Sequence, residues 1–175
     1  IKDPEEFFEN EINHLLEKNE INPYENLCGF MLETYQGWGS IFYPKEFVKA
    51  IDKFAKKHAL LITFDEMQSG FGRTGKFFGY EHYEIEPDIL CCGKGASSGP
   101  PLSIVLGPSE IMDLPNVGSM SSTHSANPLS CVAGLENMKA LIEDGLIQKA
   151  FELGEKFHDK LNLLKLKYPK HLRYV

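Results

Sequence analysis

Three residues that could take part in chemistry stand at or just beyond the ends of short apolar runs: Glu33, Asp65 and Lys94. Runs of this kind are typical of strands buried inside an α/β protein. In open α/β sheets, ligands bind beyond the carboxyl ends of the strands. Taken singly, each residue could be a solvated loop charge, but polar groups at three strand ends together indicate one ligand-binding site.

Lys94 has the most distinctive surroundings, because it lies between Gly93 and Gly95 directly after an apolar run. Flanking glycines allow a bulky group to approach the backbone closely. A partly desolvated lysine at such a place can act as an amine nucleophile. The alternative is an ordinary surface lysine in a glycine-rich turn.

Asp65 and Glu66 form an adjacent pair of acids at the end of their run. Neighbouring side chains on an extended chain point to opposite faces. We therefore expect one of them to face the site and the other to pack elsewhere, which argues against a metal ion held by the pair. The spacing of the cysteines also fits no zinc site.

Residues 121–125 form a polar segment just ahead of a helix that we expect to begin near Pro128. Hydroxyl groups and backbone amides in front of a helix can bind an anion, although a plain capping loop is the alternative. His124 could act as a base there, or only as a hydrogen-bonding neighbour. The glycines at 70–75 and 93–95 match neither a P-loop nor a dinucleotide-binding fingerprint, which disfavours a nucleotide-binding module.

The positions of these residues depend on elements that alternate along the chain. Apolar runs bounded by turn residues predict strands, and apolar residues at helical spacing predict helices. Their alternation predicts an α/β fold with a mostly parallel sheet and flanking helices. The strands are expected at 27–32, 60–64, 89–92 and 102–106, and the helices at about 4–16, at 47–55, from 128 and at 146–166.

Composition excludes several classes of protein. The 175 residues include 18 Lys and Arg against 25 Asp and Glu, and this net charge of −7 disfavours nucleic-acid binding. Twelve Phe and seven Tyr provide ample core, which excludes a disordered chain. No apolar run approaches the ~18 residues of a membrane-spanning helix, so we expect no membrane partner.

Most of the four cysteines fall inside apolar runs, as free thiols do, and the chain starts without a signal-peptide pattern. Both features indicate a reducing, cytoplasmic compartment.

Taken in order, these segments resemble the class III aminotransferases, which are pyridoxal-phosphate enzymes of fold type I. Residues 64–75 (Phe-Asp-Glu-Met-Gln-Ser-Gly-Phe-Gly-Arg-Thr-Gly) are similar to the family signature. The resemblance continues through Glu-Pro-Asp-Ile at 86–89, Gly-Lys-Gly at 93–95, Pro-Leu-Ser at 101–103 and Ser-Thr-His-Ser-Ala-Asn-Pro-Leu at 122–129. Each glycine motif is weak by itself, whereas the ordered set covers nearly the whole chain and is specific.

The resemblance implies a role for each residue that matches the family pattern. Lys94 would form a Schiff base with pyridoxal 5'-phosphate and would then carry the proton between the substrate Cα and the cofactor. Asp65 would pair with the pyridinium nitrogen and keep it protonated, so that the ring can take up electrons. Gln68 would hydrogen-bond the phenolic oxygen of the cofactor.

Other implied roles concern the substrate and a neighbouring subunit. Thr123, together with Ser122, would bind the phosphate of the cofactor held by the other subunit, so the resemblance implies a homodimer with the site at the interface. Glu33 would lie near the substrate. The loop at 33–37 (Glu-Thr-Tyr-Gln-Gly) resembles the family's Glu-Pro-x-Gln-Gly but has Thr34 in place of proline, which relaxes the backbone constraint there.

Members of this family are much longer than 175 residues. We therefore expect an internal segment of such an enzyme, or one chain of a divided enzyme, which needs the remainder for its stability. Residues 1–145 would be part of the large domain that binds pyridoxal phosphate. Residues 146–175 would be a helix and a linker leading into the C-terminal small domain.

The implied reaction is the transfer of an amino group from an amine or ω-amino acid to a 2-oxo acid. Residues 95–100 are more similar to the 4-aminobutyrate branch of the family than to the acetylornithine branch. Two alternatives stay open. One is a decarboxylase or aminomutase on the same fold, which would keep both Lys94 and Asp65. The other is an inactive fragment that serves only in folding or assembly.

Overall fold

A four-stranded sheet lies at the centre of the computed structural model, which describes residues 2–175. Helices flank the sheet, and a two-stranded ladder follows its first strand. In chain order the elements are α1 (Pro4–Lys18), α2 (Pro23–Asn26), β1 (Gly29–Glu33), β2 (Tyr35–Gln36), β3 (Ile41–Phe42), α3 (Lys45–Lys57), β4 (Leu61–Asp65), β5 (Ile89–Cys92), β6 (Ile104–Leu106), α4 (Ser109–Met112), α5 (Pro128–Glu143) and α6 (Leu146–Lys167). Short 3₁₀ turns occupy Gly79–Tyr83 and Lys94–Ala96.

The strands of the sheet lie in the order β1-β4-β5-β6, and only β6 runs antiparallel to its neighbour. The predicted α/β class with a mostly parallel sheet is therefore confirmed. Glu33 is in register with Asp65, and Asp65 is in register with Cys91. Because parallel strands end at the same edge of a sheet, the residues that follow β1, β4 and β5 lie side by side.

Helices α1 and α3 cover one face of β1 and β4. The carboxylate of Asp3 accepts a hydrogen bond from the Glu6 amide at 3.0 Å and so caps α1. The ring of Phe8 packs edge-on against Phe47 of α3, with 5.7 Å between centroids. Each large apolar side chain buried here contributes roughly 1.5–3 kcal/mol. This core anchors the two strands whose ends carry the acidic residues; its buried members are Phe8, Val48, Ala50, Ile51, Ala55, Leu60, Ile62, Phe64, Tyr83 and Ile85.

A smaller core holds β5 and the turn after it against helix α5. Phe71, Cys92 and Ala96 are its buried members. Gly134 lets α5 approach closely, since a Cβ at that position would lie 2.7 Å from Cδ2 of Leu102. Burial raises the pKa of the Cys92 thiol to about 11, so this side chain stays neutral and apolar in character.

The apolar run at 27–32 predicts a strand buried inside the protein, and this is wrong for one face of β1. Met31, in the middle of this strand, is 66% exposed, and Cys28 just before it is exposed too. Within residues 2–175, β1 pairs with β4 alone. Helix α3 covers only the face that carries Phe30 and Leu32, which pack on the larger core. The alternate side chains on β1 therefore have no partner layer among these residues.

The longer helices agree with the sequence prediction to within about two residues at their ends. Proline in the first turn marks the start of both α1 and α5 correctly. Helix α4 and the β2–β3 ladder were not predicted, because four- and two-residue elements leave no periodic pattern. None of the helices within residues 2–175 combines the length and apolar character that crossing a membrane requires.

Candidate active site

Lys94 begins the 3₁₀ turn directly after β5 and holds an unusual backbone conformation. Its φ angle is +36°, a value that L-residues rarely adopt. The preceding Gly93 approaches Met67 so closely that a Cβ there would overlap its sulfur atom. Helix α5 holds the turn, because the side-chain amide of Asn137 donates a hydrogen bond to the Gly95 carbonyl at 2.7 Å. Strained residues held by their surroundings cluster at functional sites, so this conformation favours a functional reading of Lys94.

The exposed Lys94 side chain lines a cavity of about 570 Å³ in front of helix α5. Ser122, His124 and Ser125 line the same cavity. The Lys94 ammonium takes part in none of the ion pairs formed within residues 2–175. The amine and the polar segment that we singled out in the sequence are therefore brought together. Thr123 lies in the same turn but is not among the cavity's lining residues.

Asp65 and Glu33, at the ends of adjacent strands, line a second cavity of about 310 Å³. Asp65 Oδ1 accepts a hydrogen bond from the Met67 amide at 2.9 Å. Glu33 Oε2 accepts one from the Gly37 amide at 3.0 Å. Both carboxylates thus keep oxygen atoms that no hydrogen bond within residues 2–175 engages. Of the three residues expected at one site, Glu33 and Asp65 therefore share a cavity, whereas Lys94 lines the other one.

Gln68 joins these acids through its contact with the loop after β1. A Cβ at Gly37 would overlap Oε1 of Gln68 and would lie 3.1 Å from Oε2 of Glu33. The side chains of Gln68 and Glu33 therefore both lie close to the backbone of Gly37, in the space that a Cβ at this position would occupy. A glycine is needed here because any side chain would push one of them away.

Glu66 points away from this surface and is only 1% exposed. Its carboxylate accepts four hydrogen bonds, from the hydroxyls of Thr34 and Ser69 at 2.7 and 2.6 Å and from the amides of Gly79 and Tyr80 at 2.9 and 2.7 Å. A carboxylate has about four acceptor positions, so all of them are used. The sequence correctly predicted that one acid of the pair packs elsewhere, but it gave no sign that Glu66 is the centre of a network.

Thr34, the residue at which the loop departs from the pattern it resembles, is fully buried. Besides donating to Glu66, it accepts a hydrogen bond at its carbonyl from the Tyr83 hydroxyl at 2.7 Å. Burial of Tyr83 raises the pKa of its hydroxyl to about 12. Tyr83 thereby fixes the start of the loop that carries Glu33 and Gly37.

We expect Tyr83→Phe to destabilise the fold and also to alter its response to alkali. Loss of the hydrogen bond should cost about 1 kcal/mol at pH 7, because the Thr34 carbonyl stays buried. The folded-state pKa is raised, so the stability that Tyr83 contributes is present below pH 10 and is lost as pH rises toward 12. The free energy of unfolding of the variant, measured with urea, should therefore fall less between pH 10 and about pH 12 than that of the parent. Tyr174→Phe, at an 88% exposed position, should match the parent at every pH.

The donor groups in and beside these two cavities fit pyridoxal phosphate. The Lys94 amine, in one cavity, suits its carbonyl, and the Asp65 carboxylate, in the other, suits its ring nitrogen. The Gln68 amide, which lines neither cavity, suits the phenolic oxygen, and the hydroxyl groups at 121–125 suit the phosphate. No group of three or more His, Cys, Asp or Glu side chains within residues 2–175 is arranged to hold a metal ion.

Comparisons with known proteins agree with this donor set. The sequence matches the profile of the family described as aminotransferase class-III over residues 2–175. It is 34% identical over 146 residues to a probable 4-aminobutyrate aminotransferase from Bacillus subtilis, which covers 83% of this chain and 34% of that protein. It is 37% identical over 145 residues to an acetylornithine aminotransferase from Caldanaerobacter subterraneus, covering 82% of this chain and 37% of that one.

The fold is similar to that of solved transaminases. A S-selective transaminase from Arthrobacter sp., with alanine bound, superposes with a TM-score of 0.82 at 36% identity, covering 90% of this chain and 34% of that one. The ornithine δ-aminotransferase of Plasmodium falciparum gives a TM-score of 0.76 at 34% identity, over 82% of this chain and 38% of that one. The chain spans about a third of the length of the curated relatives it matches.

Proposed function

The chain belongs to the class III aminotransferase family, and on that premise we propose that its protein is a pyridoxal-phosphate-dependent transaminase. It transfers an amino group from an amine or ω-amino acid to a 2-oxo acid. The observation that carries the proposal is the position of Lys94 and Asp65 at the ends of neighbouring parallel strands, each beside an open cavity. Three-dimensional likeness to transaminases over most of the chain supports it.

Pyridoxal phosphate, when bound, supplies a carbonyl that takes up the donor's amino group and a ring that spreads the negative charge left after proton removal. Asp65 would hold the proton on the ring nitrogen, since its carboxylate keeps an oxygen that no hydrogen bond within residues 2–175 engages. Lys94 would hold the carbonyl end of the cofactor through Nζ. Once the donor amine has released it, the same Nζ would take the proton from the donor carbon that bears the amino group and pass it to the former carbonyl carbon of the cofactor. In the second half-reaction it would carry a proton the opposite way, onto the carbon of the 2-oxo acid that receives the amino group.

Gln68 and Glu33 orient the groups around this reacting centre. Gln68 would donate from its amide to the phenolic oxygen, and its contact with Gly37 restricts where that amide can lie. Glu33 is held by the Gly37 amide, and its other oxygen, which no hydrogen bond within residues 2–175 engages, would be available to the substrate. A carboxylate there suits a positively charged part of the donor or a cationic protein group.

Ser122 and Thr123 would bind the phosphate through their hydroxyls, together with backbone amides ahead of α5. We assign Thr123 to the cofactor of a neighbouring copy, which is consistent with its place outside the Lys94 cavity. The active form would then be a homodimer with the site at the interface. Residues 1–145 would belong to the cofactor-binding large domain and residues 146–175 would lead into the small domain.

The names of the relatives guide the choice of amino donor. They include aminotransferases for 4-aminobutyrate, ornithine and acetylornithine at similar identity. We propose a donor with an amine at the end of a short chain, with 4-aminobutyrate as the first to try. Four free cysteines, without a disulfide in residues 2–175, support a reducing cytoplasmic location.

The test is a two-substrate assay with the protein loaded with pyridoxal phosphate. We expect 4-aminobutyrate or ornithine to yield an amino acid from 2-oxoglutarate or pyruvate, in alternating half-reactions that give ping-pong kinetics. A donor-dependent release of carbon dioxide without any amino acid product would instead indicate a decarboxylase. A loaded, folded protein that transfers no amino group from any amine donor would contradict the proposal.

A further inference from the structure

Three buried polar residues, Thr34, Glu66 and Ser69, form one hydrogen-bonded group beneath the candidate site. We refer to them as the buried triad. They are 0%, 1% and 2% exposed, respectively. The Glu66 carboxylate joins the other two by accepting their hydroxyl hydrogens, one on each oxygen. Charge-assisted bonds of this length are among the strongest in proteins.

Each member of the buried triad directly follows a residue of the candidate site along the chain. Thr34 follows Glu33, Glu66 follows Asp65 and Ser69 follows Gln68. Each inner residue, a member of the buried triad, is therefore bonded to one outer residue of the candidate site. Neighbouring residues share a peptide plane and cannot move independently over large distances. A displacement of any inner residue therefore moves the outer residue beside it.

The buried triad also ties together segments that are distant in sequence. Thr34 is 32 residues from Glu66, and the amides of Gly79 and Tyr80 bind the same carboxylate from the far end of the glycine-rich segment. The methyl group of Thr34 packs on Gly79, where a Cβ would lie 2.7 Å from it. One carboxylate thus holds the end of β1, the end of β4 and the loop after it.

We propose that the buried triad positions Glu33, Asp65 and Gln68 relative to one another, and that the Thr34 hydroxyl is the link that sets the loop at 33–37. These are positioning residues, since none of them reaches the cavity surface. A proline at position 34 could not form this link, because it has no hydroxyl. The effect on the cofactor rests on the proposed function, whereas the effect on the loop does not.

The matched pair Thr34→Val and Thr34→Ser tests the link. Valine keeps the shape of threonine but removes the hydroxyl, and serine keeps the hydroxyl but removes the methyl group. Glu66→Gln would be the more obvious change, but it places an amide donor against a backbone amide and could prevent folding. Both Thr34 variants are made in the protein as it is produced, without shortening.

The first readout needs no cofactor. Trp38 is the only tryptophan of the sequence; it is 87% exposed and lines the cavity with Glu33 and Asp65. Time-resolved fluorescence anisotropy of Trp38 reports the motion of this loop. We expect Thr34→Val to increase the amplitude of fast local motion and Thr34→Ser to behave like the parent protein.

The second readout uses bound pyridoxal phosphate. The pH at which its visible absorption changes depends on hydrogen bonds to the phenolic oxygen, which Gln68 supplies. We expect Thr34→Val to shift this pH in the same direction as Gln68→Ala and to weaken cofactor binding about tenfold, with recovery in Thr34→Ser.

Two results would overturn the positioning role. One is a Thr34→Val protein with a lower melting temperature but unchanged Trp38 motion and an unchanged absorption profile, which would leave the triad only a structural role. The other is an equal effect of valine and serine, which would assign the effect to packing. If the parent binds no cofactor, the proposed function fails, and the Trp38 comparison alone decides the role of the triad.

Discussion

Replacing Lys94 with alanine is expected to lower transaminase turnover by about 10³–10⁴-fold, since the amine that holds and moves the proton is removed. Alanine is the right substitution because it keeps a Cβ at a residue whose φ is +36°. Glycine would relieve the backbone strain there and so mix two effects. The side chain is exposed and forms no ion pair within residues 2–175, so stability should change little.

The assay for this change compares amino-group transfer by the parent, Lys94→Ala and Lys76→Ala. Lys76 is an exposed lysine of the glycine-rich segment and should be dispensable. Added small amines should partly restore activity to Lys94→Ala, because they can supply the missing base. A Lys94→Ala protein that keeps most of the parent's activity would remove Lys94 from the mechanism.

Asp65→Asn is expected to reduce turnover by about 10²–10³-fold while leaving the fold intact. The asparagine oxygen can still accept the hydrogen bond from the Met67 amide, so the end of β4 should keep its shape. A neutral amide cannot hold a proton on the ring nitrogen, and the ring then stabilises negative charge poorly. We therefore expect a larger decrease in kcat than in the affinity for the cofactor.

The measurement is steady-state kinetics, combined with cofactor titration by absorbance. Asp113→Asn, at an exposed surface position, provides the matched control and should equal the parent. If Asp65→Asn lost stability and cofactor together but retained its turnover when saturated, Asp65 would be structural. Its proposed pairing with the ring nitrogen would then be wrong.

Local signals predicted the elements that carry the site. Apolar runs gave β1, β4 and β5, and the ends of these runs placed Glu33, Asp65 and Lys94 at one edge of the sheet. These predictions succeed because the burial of a strand and the position of its end depend on consecutive residues. The alternation of side chains on an extended chain likewise predicted that Asp65 and Glu66 would separate.

Features that depend on distant residues could not be predicted in this way. The partners of Glu66 lie up to 32 residues away, and nothing near the acid indicates which hydroxyl or amide will reach it. The exposure of Met31 depends on what packs against β1 rather than on its own run. The antiparallel direction of β6 is set by its pairing with β5, since a three-residue apolar strand carries no sign of direction.

The buried triad is also compatible with an ordered loop around position 34, where the resemblance would have led us to expect proline. Thr34 is held by two hydrogen bonds, one from its hydroxyl to Glu66 and one from Tyr83 to its carbonyl. The loop that carries Glu33 is therefore fixed by partners from two other segments. This explains how a relaxed backbone constraint can coexist with a defined position for Glu33.

The most direct test of the central claim is peptide mapping after borohydride treatment of the protein loaded with pyridoxal phosphate. Reduction fixes the cofactor on whichever amine holds it, and mass spectrometry of the digest identifies that residue. We predict one modified lysine, Lys94, and no modification at that position when an amine donor is added before the borohydride. A cofactor fixed mainly on another lysine, or a folded protein that acquires none, would contradict the assignment of this chain as the cofactor-anchoring part of a transaminase.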